Sequence, residues 1–74
     1  MTNLQKARTS SGHWITQRQV ATAAGMSLRT YQDYEQGTKN INRAAAITVY
    51  TLAVTLTNLT DHHWTVEDLL EFER

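Results

Sequence analysis

Marked only as apolar or polar, the chain shows five stretches in which apolar residues return at helical intervals. Leu4 and Ala7 form the first. Val20, Ala21 and Ala24 form the second, and Tyr31 and Tyr34 the third. Leu69, Leu70 and Phe72 form the last, where they can close a core. The fourth, within AAAITVYTLAVTLTNL, is ambiguous, because its Thr and Val content and the alternation of Leu52, Val54 and Leu56 also fit a strand. A strand there has no hairpin turn inside it and no second strand-like run to pair with. Ala45, Val49, Leu52, Ala53 and Leu56 fit a helical stripe, so a helix is expected. At about 100° per residue, Ile47, Tyr50 and Val54 then fall together on the opposite side. Both sides of this helix are apolar, and the other helices of so small a domain can cover only one.

Start and stop signals sharpen the middle of the chain. Thr16 and Gln19 form a capping box, so a helix begins at Gln17, and Gly25 supplies the left-handed residue that ends it near Ala24. Ser27 can cap a second helix running from Leu28 to Gln36, with Gly37 as its stop. Two short helices across so tight a corner cross steeply, and small Ala21 and Ala24 permit the approach while Val20, Met26, Tyr31 and Tyr34 fill the angle. Residues 16–37 therefore read as a helix-turn-helix. Before it, Leu4 to Arg8 forms a helix ended by Ser10-Ser11-Gly12, with Lys6 and Arg8 free for solvent or phosphate. Trp14 or Ile15 is expected to staple the second helix. After it, Thr38 to Asn42 forms a polar loop with Asn42 capping a helix from Arg43. Thr57 to Trp64 forms another loop, and Thr65 to Asp68 opens the last helix with a second capping box.

The order Thr-Gln, Val20-Ala21, Gly25-Met26-Ser27 and Tyr34-Glu35-Gln36-Gly37 resembles the lambda-repressor-like, or XRE-type, helix-turn-helix regulators over about residues 4–72. The resemblance implies a five-helix, all-α domain occupying 1–74. It also implies a second helix that lies in the major groove while the first crosses the backbone. On this resemblance Leu28, Arg29, Gln32 and Asp33 match base-facing positions, and Ser27 stands with them at the outward end of the helix. Arg29 can donate two bonds to guanine, Gln32 can pair with adenine, Asp33 can accept from cytosine, and Leu28 can meet a thymine methyl. Asp33 can equally orient Arg29 from one helical turn away. Gln17 matches a position that meets phosphate, and Arg18, Gln36, Lys39, Asn40 and Arg43 lie where a backbone clamp would be. Glu35 belongs to the Glu-x-Gly closure and anchors the corner rather than DNA. Two lengthenings depart from the family's pattern, His13-Trp14-Ile15 and Asp61-His62-His63-Trp64.

Charge changes the picture once it is divided along the chain. The formal net charge is zero, which by itself argues against a nucleic-acid partner. Residues 1–43 nevertheless hold six cations against two carboxylates, a balance of +4, and residues 44–74 hold one cation against five carboxylates, a balance of −4. A basic half carries the helix-turn-helix, and an acidic half faces away from DNA. The absence of cysteine excludes disulfides and thiolate metal sites, and 74 residues bury a small core that oligomerisation would support. No apolar run crosses a bilayer and no apolar signal core begins the chain, so a cytoplasmic protein is expected.

Catalytic chemistry finds no support, since neither a nucleophile elbow nor a Gly-rich phosphate loop is present. Adjacent His62 and His63 do not share a helical face, so neither a metal site nor any other cofactor is expected, and no small-molecule substrate. The expected function is a sequence-specific regulator of double-stranded DNA, a repressor acting as a homodimer on an inverted repeat by occupying a promoter. Ile47, Tyr50 and Val54 are the candidate dimer contact. Alternatives on the same fold are a restriction-modification controller protein or an antitoxin, and, from another class, a protein-interaction module that does not bind DNA.

Overall fold

The computed structural model describes residues 1–10 and 14–71, and the regular structure among them is entirely helical. Five α-helices follow one another: α1 (Asn3–Thr9), α2 (Gln17–Ala23), α3 (Leu28–Gln36), α4 (Ala46–Thr60) and α5 (Val66–Leu69). A single 3-10 turn, Ile41–Arg43, lies between α3 and α4. The expected stop at Ser11-Gly12, His13 as part of the first lengthening, and Phe72 as a core residue lie outside the described residues.

Four of the five helices begin where a side chain can replace the missing backbone partners, and α4, behind Ala45, is the exception. The Thr2 hydroxyl accepts from the Gln5 amide at 3.2 Å and donates to the Glu35 carbonyl at 2.6 Å, so the cap of α1 also ties it to α3. Thr16 and Gln19 form both bonds of the capping box on α2. Ile15, one residue ahead of that cap, is buried in the same cluster as Val20 and takes the staple role, whereas Trp14 is 97% exposed. At the other end of α2 the Met26 amide reaches the Ala21 carbonyl at 3.0 Å and the Gly25 amide the Thr22 carbonyl at 3.1 Å, a closure that places Gly25 at φ 73°. Ser27 then caps α3 through the Thr30 amide, and Gly37 ends it at φ 84°.

The corner is filled as its residue sizes require. Val20, Ala21 and Tyr31 are buried, with Ala24, Met26 and Tyr34 packed against them. Leu4 and Ala7 of α1, Ile41, and Leu69 of α5 complete one core around Val49, Leu52, Ala53 and Leu56 of α4.

Three of the five threonines of α4 back-bond to the helix. The hydroxyls of Thr51, Thr57 and Thr60 donate to the carbonyls of Ile47, Ala53 and Leu56, so these polar groups are satisfied within the helix itself. Three expectations are corrected here. Asn42 does not cap a helix from Arg43; Asn40 accepts from the Asn42 amide and caps the 3-10 turn, and α4 begins at Ala46. Ala45 is the exposed residue ahead of α4 rather than part of its buried stripe. The loop after α4 is shorter than Thr57 to Trp64, because the helix continues through Thr60 before Asp61 turns left-handed at φ 56°.

Beyond Asp61 the chain folds back on α4. The Trp64 amide donates to the Thr57 hydroxyl at 2.9 Å and its indole nitrogen to the Thr60 hydroxyl at 3.0 Å, while the His62 ring packs on the indole with centroids 4.6 Å apart. Thr65 and Asp68 form the capping box of α5, a helix of only 4 residues. The Thr65 amide donates to the Asp68 carboxylate and holds it below its ordinary pKa.

Candidate nucleic-acid interface

The outer end of α3 is set by an ion pair inside the domain. Tyr31 and Glu35 share the inward face of α3, and Glu35 is 1% exposed. A carboxylate so placed requires donors, and Arg8 supplies them: its Nε lies 3.0 Å and its Nη2 2.7 Å from the two carboxylate oxygens, a bidentate pair. The third guanidinium nitrogen, Nη1, donates to the Ile15 carbonyl at 2.9 Å. One side chain thus joins α1, the start of α2 and α3. The expectation that Arg8 is free for solvent or phosphate is therefore corrected, since a buried carboxylate claims it.

Burial alone would push the Glu35 carboxyl up, but its polar neighbours, Arg8 first and then Tyr31 and Gln17, outweigh it and hold it below the ordinary carboxylate value. Arg8 is raised in turn, chiefly by its bond to Glu35. Burial, and then Glu35, pushes the Tyr31 phenol well above its ordinary value, and its hydroxyl is buried beside the pair without a hydrogen bond of its own.

The network continues outward through two of the predicted site residues. Gln17 Nε2 donates to Glu35 at 3.1 Å, and Gln32 Nε2 donates to Gln17 Oε1 at 3.1 Å. The Gln32 amide keeps one N–H and its carbonyl oxygen for another partner, held in orientation by a chain that ends on the core ion pair. Gln17 is correspondingly half-buried, with its side chain engaged inside the domain.

The other candidates differ in how free they are. Arg29 has a side chain 86% exposed, and its Nε lies 3.7 Å from Asp33, whose side chain is 19% exposed. Ser27 is exposed, with its oxygen accepting from the Thr30 amide and its hydroxyl donating to the Thr30 side chain. Leu28 is half-buried and packs partly on the core. Arg18, Gln36, Lys39 and Arg43 are exposed, with the Lys39 ammonium 6.0 Å from the centre of the Tyr34 ring. Asn40 is exposed but uses its carbonyl oxygen as the cap of the 3-10 turn.

Two positioning features were missed in the sequence. One is the Arg8–Glu35 brace, whose signal is a carboxylate one turn after Tyr31 on an apolar face. The other joins Asn42 to the peptide of Glu71: its Oδ1 accepts from the Glu71 amide at 2.8 Å and its Nδ2 donates to the Glu71 carbonyl. Asn3 binds the same segment through the Leu70 carbonyl at 2.8 Å. The loop carrying Lys39, Asn40 and Arg43 is thereby tied to both ends of the described chain, and no local pattern announces contacts 29 residues apart.

Two short helices packed across a four-residue corner, with the polar end of the second turned outward, define a helix-turn-helix protein. A model of the helix-turn-helix family matches residues 4–49, more than half of the 74 residues. The chain belongs to that lambda-repressor-like, XRE-type family, a class of DNA-binding regulators that is typically non-enzymatic. All of α4 from Tyr50 onward, the Asp61–Trp64 corner and α5 lie beyond the matched span. Among curated proteins and among solved structures nothing matches the chain. Among the described residues no helix is long and apolar enough to cross a membrane, and no three His, Cys, Asp or Glu side chains cluster as metal ligands.

Proposed function

We propose that the chain is a sequence-specific regulator of double-stranded DNA, a repressor that acts as a homodimer on an inverted repeat. The observation that carries this reading is the Gln32–Gln17–Glu35–Arg8 chain, which spends a buried ion pair on holding the outer face of α3 in one orientation. A helix used only for packing has no need of a polar side chain braced at its solvent end. In this reading Arg29 and Gln32 are the principal readers in the major groove, with Ser27, Leu28 and Asp33 completing the contact surface. Arg18, Gln36, Lys39, Asn40 and Arg43 meet phosphates, and Gln17 does so with whatever hydrogen-bonding capacity its internal bonds leave. Ile47, Tyr50 and Val54, which are 69%, 58% and 41% exposed, form the subunit contact.

Selection of bound sites from random duplexes tests the whole reading. It is expected to return a palindromic site whose affinity falls steeply with salt. Recovery of no enriched sequence, together with no salt-sensitive shift of any duplex, would reject DNA regulation in favour of a protein-interaction role.

A further inference from the structure

Trp14 is the most exposed large apolar side chain among the described residues, at 97%, yet the backbone that follows it is fixed. Ile15 is buried in the core, its carbonyl is held by Arg8 Nη1 at 2.9 Å, and Thr16 is extended at φ −88° and ψ 160° while it caps α2. Successive side chains of an extended segment point to opposite sides, so with Ile15 turned inward Trp14 is turned out. Leaving an indole in water forgoes the largest apolar burial any side chain can offer.

The chain around it narrows what could cover it. Trp14 lies outside the apolar groove of Tyr50, Val54, Trp64 and Val66, so it is not an extension of the α4 face. Three residues span no more than about 11 Å, which keeps Trp14 within that distance of Gln17 along the chain. At a rise of about 3.4 Å per nucleotide this is the span of about three nucleotides of one strand. The same guanidinium that braces Gln17 through Glu35 holds the Ile15 carbonyl, so Trp14 and Gln17 stand on one rigid frame. A duplex backbone presents apolar deoxyribose faces beside phosphate oxygens. An indole meets both, its face lying on the sugar and its one N–H, a donor only, directed to phosphate.

We propose that Trp14 is a further DNA-contacting residue, packing on the sugar-phosphate backbone next to the site met by Gln17 and Arg18. The assignment rests on the DNA-binding reading above. It makes Trp14 a contact that adds affinity without adding sequence preference.

Three readouts test it. In Trp64→Phe, Trp14 is the sole tryptophan, and saturation with duplex DNA is expected to shift its emission and protect it from acrylamide. Should that variant fold poorly, the difference between wild type and Trp14→Phe isolates the same signal. Trp14→Ala, at a position 97% exposed, is expected to leave the thermal midpoint unchanged. It should weaken binding to the selected site and to an unrelated duplex by the same factor, about tenfold, the order of one hydrogen bond to a charged oxygen. Because tryptophan releases no counterion, the slope of log affinity against log salt stays as in wild type.

Labelled-duplex anisotropy separates the two levels of the argument. A wild type that binds no duplex overturns both the DNA reading and this assignment. Binding with Trp14 emission, quenching and the Trp14→Ala affinity all unchanged overturns the assignment alone. A loss confined to one sequence makes Trp14 a base reader instead, and protection that grows with protein concentration in the absence of DNA makes its partner a second copy of the chain.

Discussion

At the scale of single residues, Glu35 and Arg29 show how differently two charges on one helix are used. Glu35 is buried and bound by Arg8 and Gln17, so it is ionised at a pKa below the ordinary carboxylate value of 4.5. A carboxyl depressed on folding contributes stability that is present above its unfolded pKa and is lost as pH falls through the lower folded value. Glu35→Gln leaves the Arg8 guanidinium without its counter-charge at 16% exposure and is expected to cost about 3 kcal/mol at neutral pH. Denaturant unfolding between about pH 3 and pH 7 should also show a shallower acid limb in the variant, with a remainder from Asp68. An acid limb identical to wild type would place the linkage on other groups. Arg29 is the opposite case, since its contact with Asp33 is solvated and worth no more than about 0.5 kcal/mol. Arg29→Ala should therefore leave stability almost unchanged while weakening specific DNA binding by about 1–3 kcal/mol and relaxing preference at one base pair. Full affinity with an unaltered selected site would show that Arg29 reads nothing.

At the scale of elements, what was legible in the sequence is what is decided within about four residues. Both capping boxes, the Ser27 cap and the two glycine stops stand where the sequence places them, because each cap joins a side chain to a backbone group one turn away and each glycine closes its helix through a backbone bond of the same reach. The candidate site was legible to the same extent, in that Arg29 and Asp33 could be placed one turn apart on an outward face. What failed depended on distant partners. Asn40 and Asn42 are equivalent caps by local chemistry, and the choice between them falls to Asn40 because Ile41 is drawn into the core and Asn42 is taken by Glu71. Arg8 was read as free because the carboxylate that claims it is 27 residues away. The end of α4 was misjudged for another reason: no glycine marks it, and Asp61 takes the left-handed position at φ 56°. There it carries a Cβ penalty, and its negative charge stands at the unfavourable end of the helix dipole. Both terms have the same sign, so Asp61→Gly is expected to stabilise the domain by about 0.5–1 kcal/mol in denaturant unfolding. An unchanged or lower midpoint would mean that the Asp61 side chain recovers that energy locally.

At the scale of the whole molecule, the structure alters the charge argument without reversing it. With Arg8 committed to Glu35, the cations left exposed in the basic half are Lys6, Arg18, Arg29, Lys39 and Arg43. Lys39 stands on the loop that Asn42 ties down, and Lys39→Ala is expected to weaken binding to all duplexes alike and to make the salt slope shallower by about one unit. A loss limited to one sequence would contradict a phosphate contact. The remaining prediction concerns the partner. The molecule measures 29 × 26 × 21 Å, whereas half-sites read by paired helix-turn-helix subunits lie about 34 Å apart, so two readers on one face of a duplex require two copies. The face available for joining them is apolar: Ile47, Tyr50 and Val54 stand out from α4, and Tyr50 and Val54 border an open groove of about 310 Å³ that reaches Trp64 and Val66. Pairing through the charged face of α5 would instead bring Glu67 and Asp68 near their own copies. Tyr50→Glu combined with Val54→Glu places charge on exposed positions, so the domain should stay folded while its self-association and operator affinity both fall. Sedimentation decides the point, since an undiminished dimer in the variant, or a wild type that is monomeric both at micromolar concentration and on DNA, would remove this face as the subunit contact.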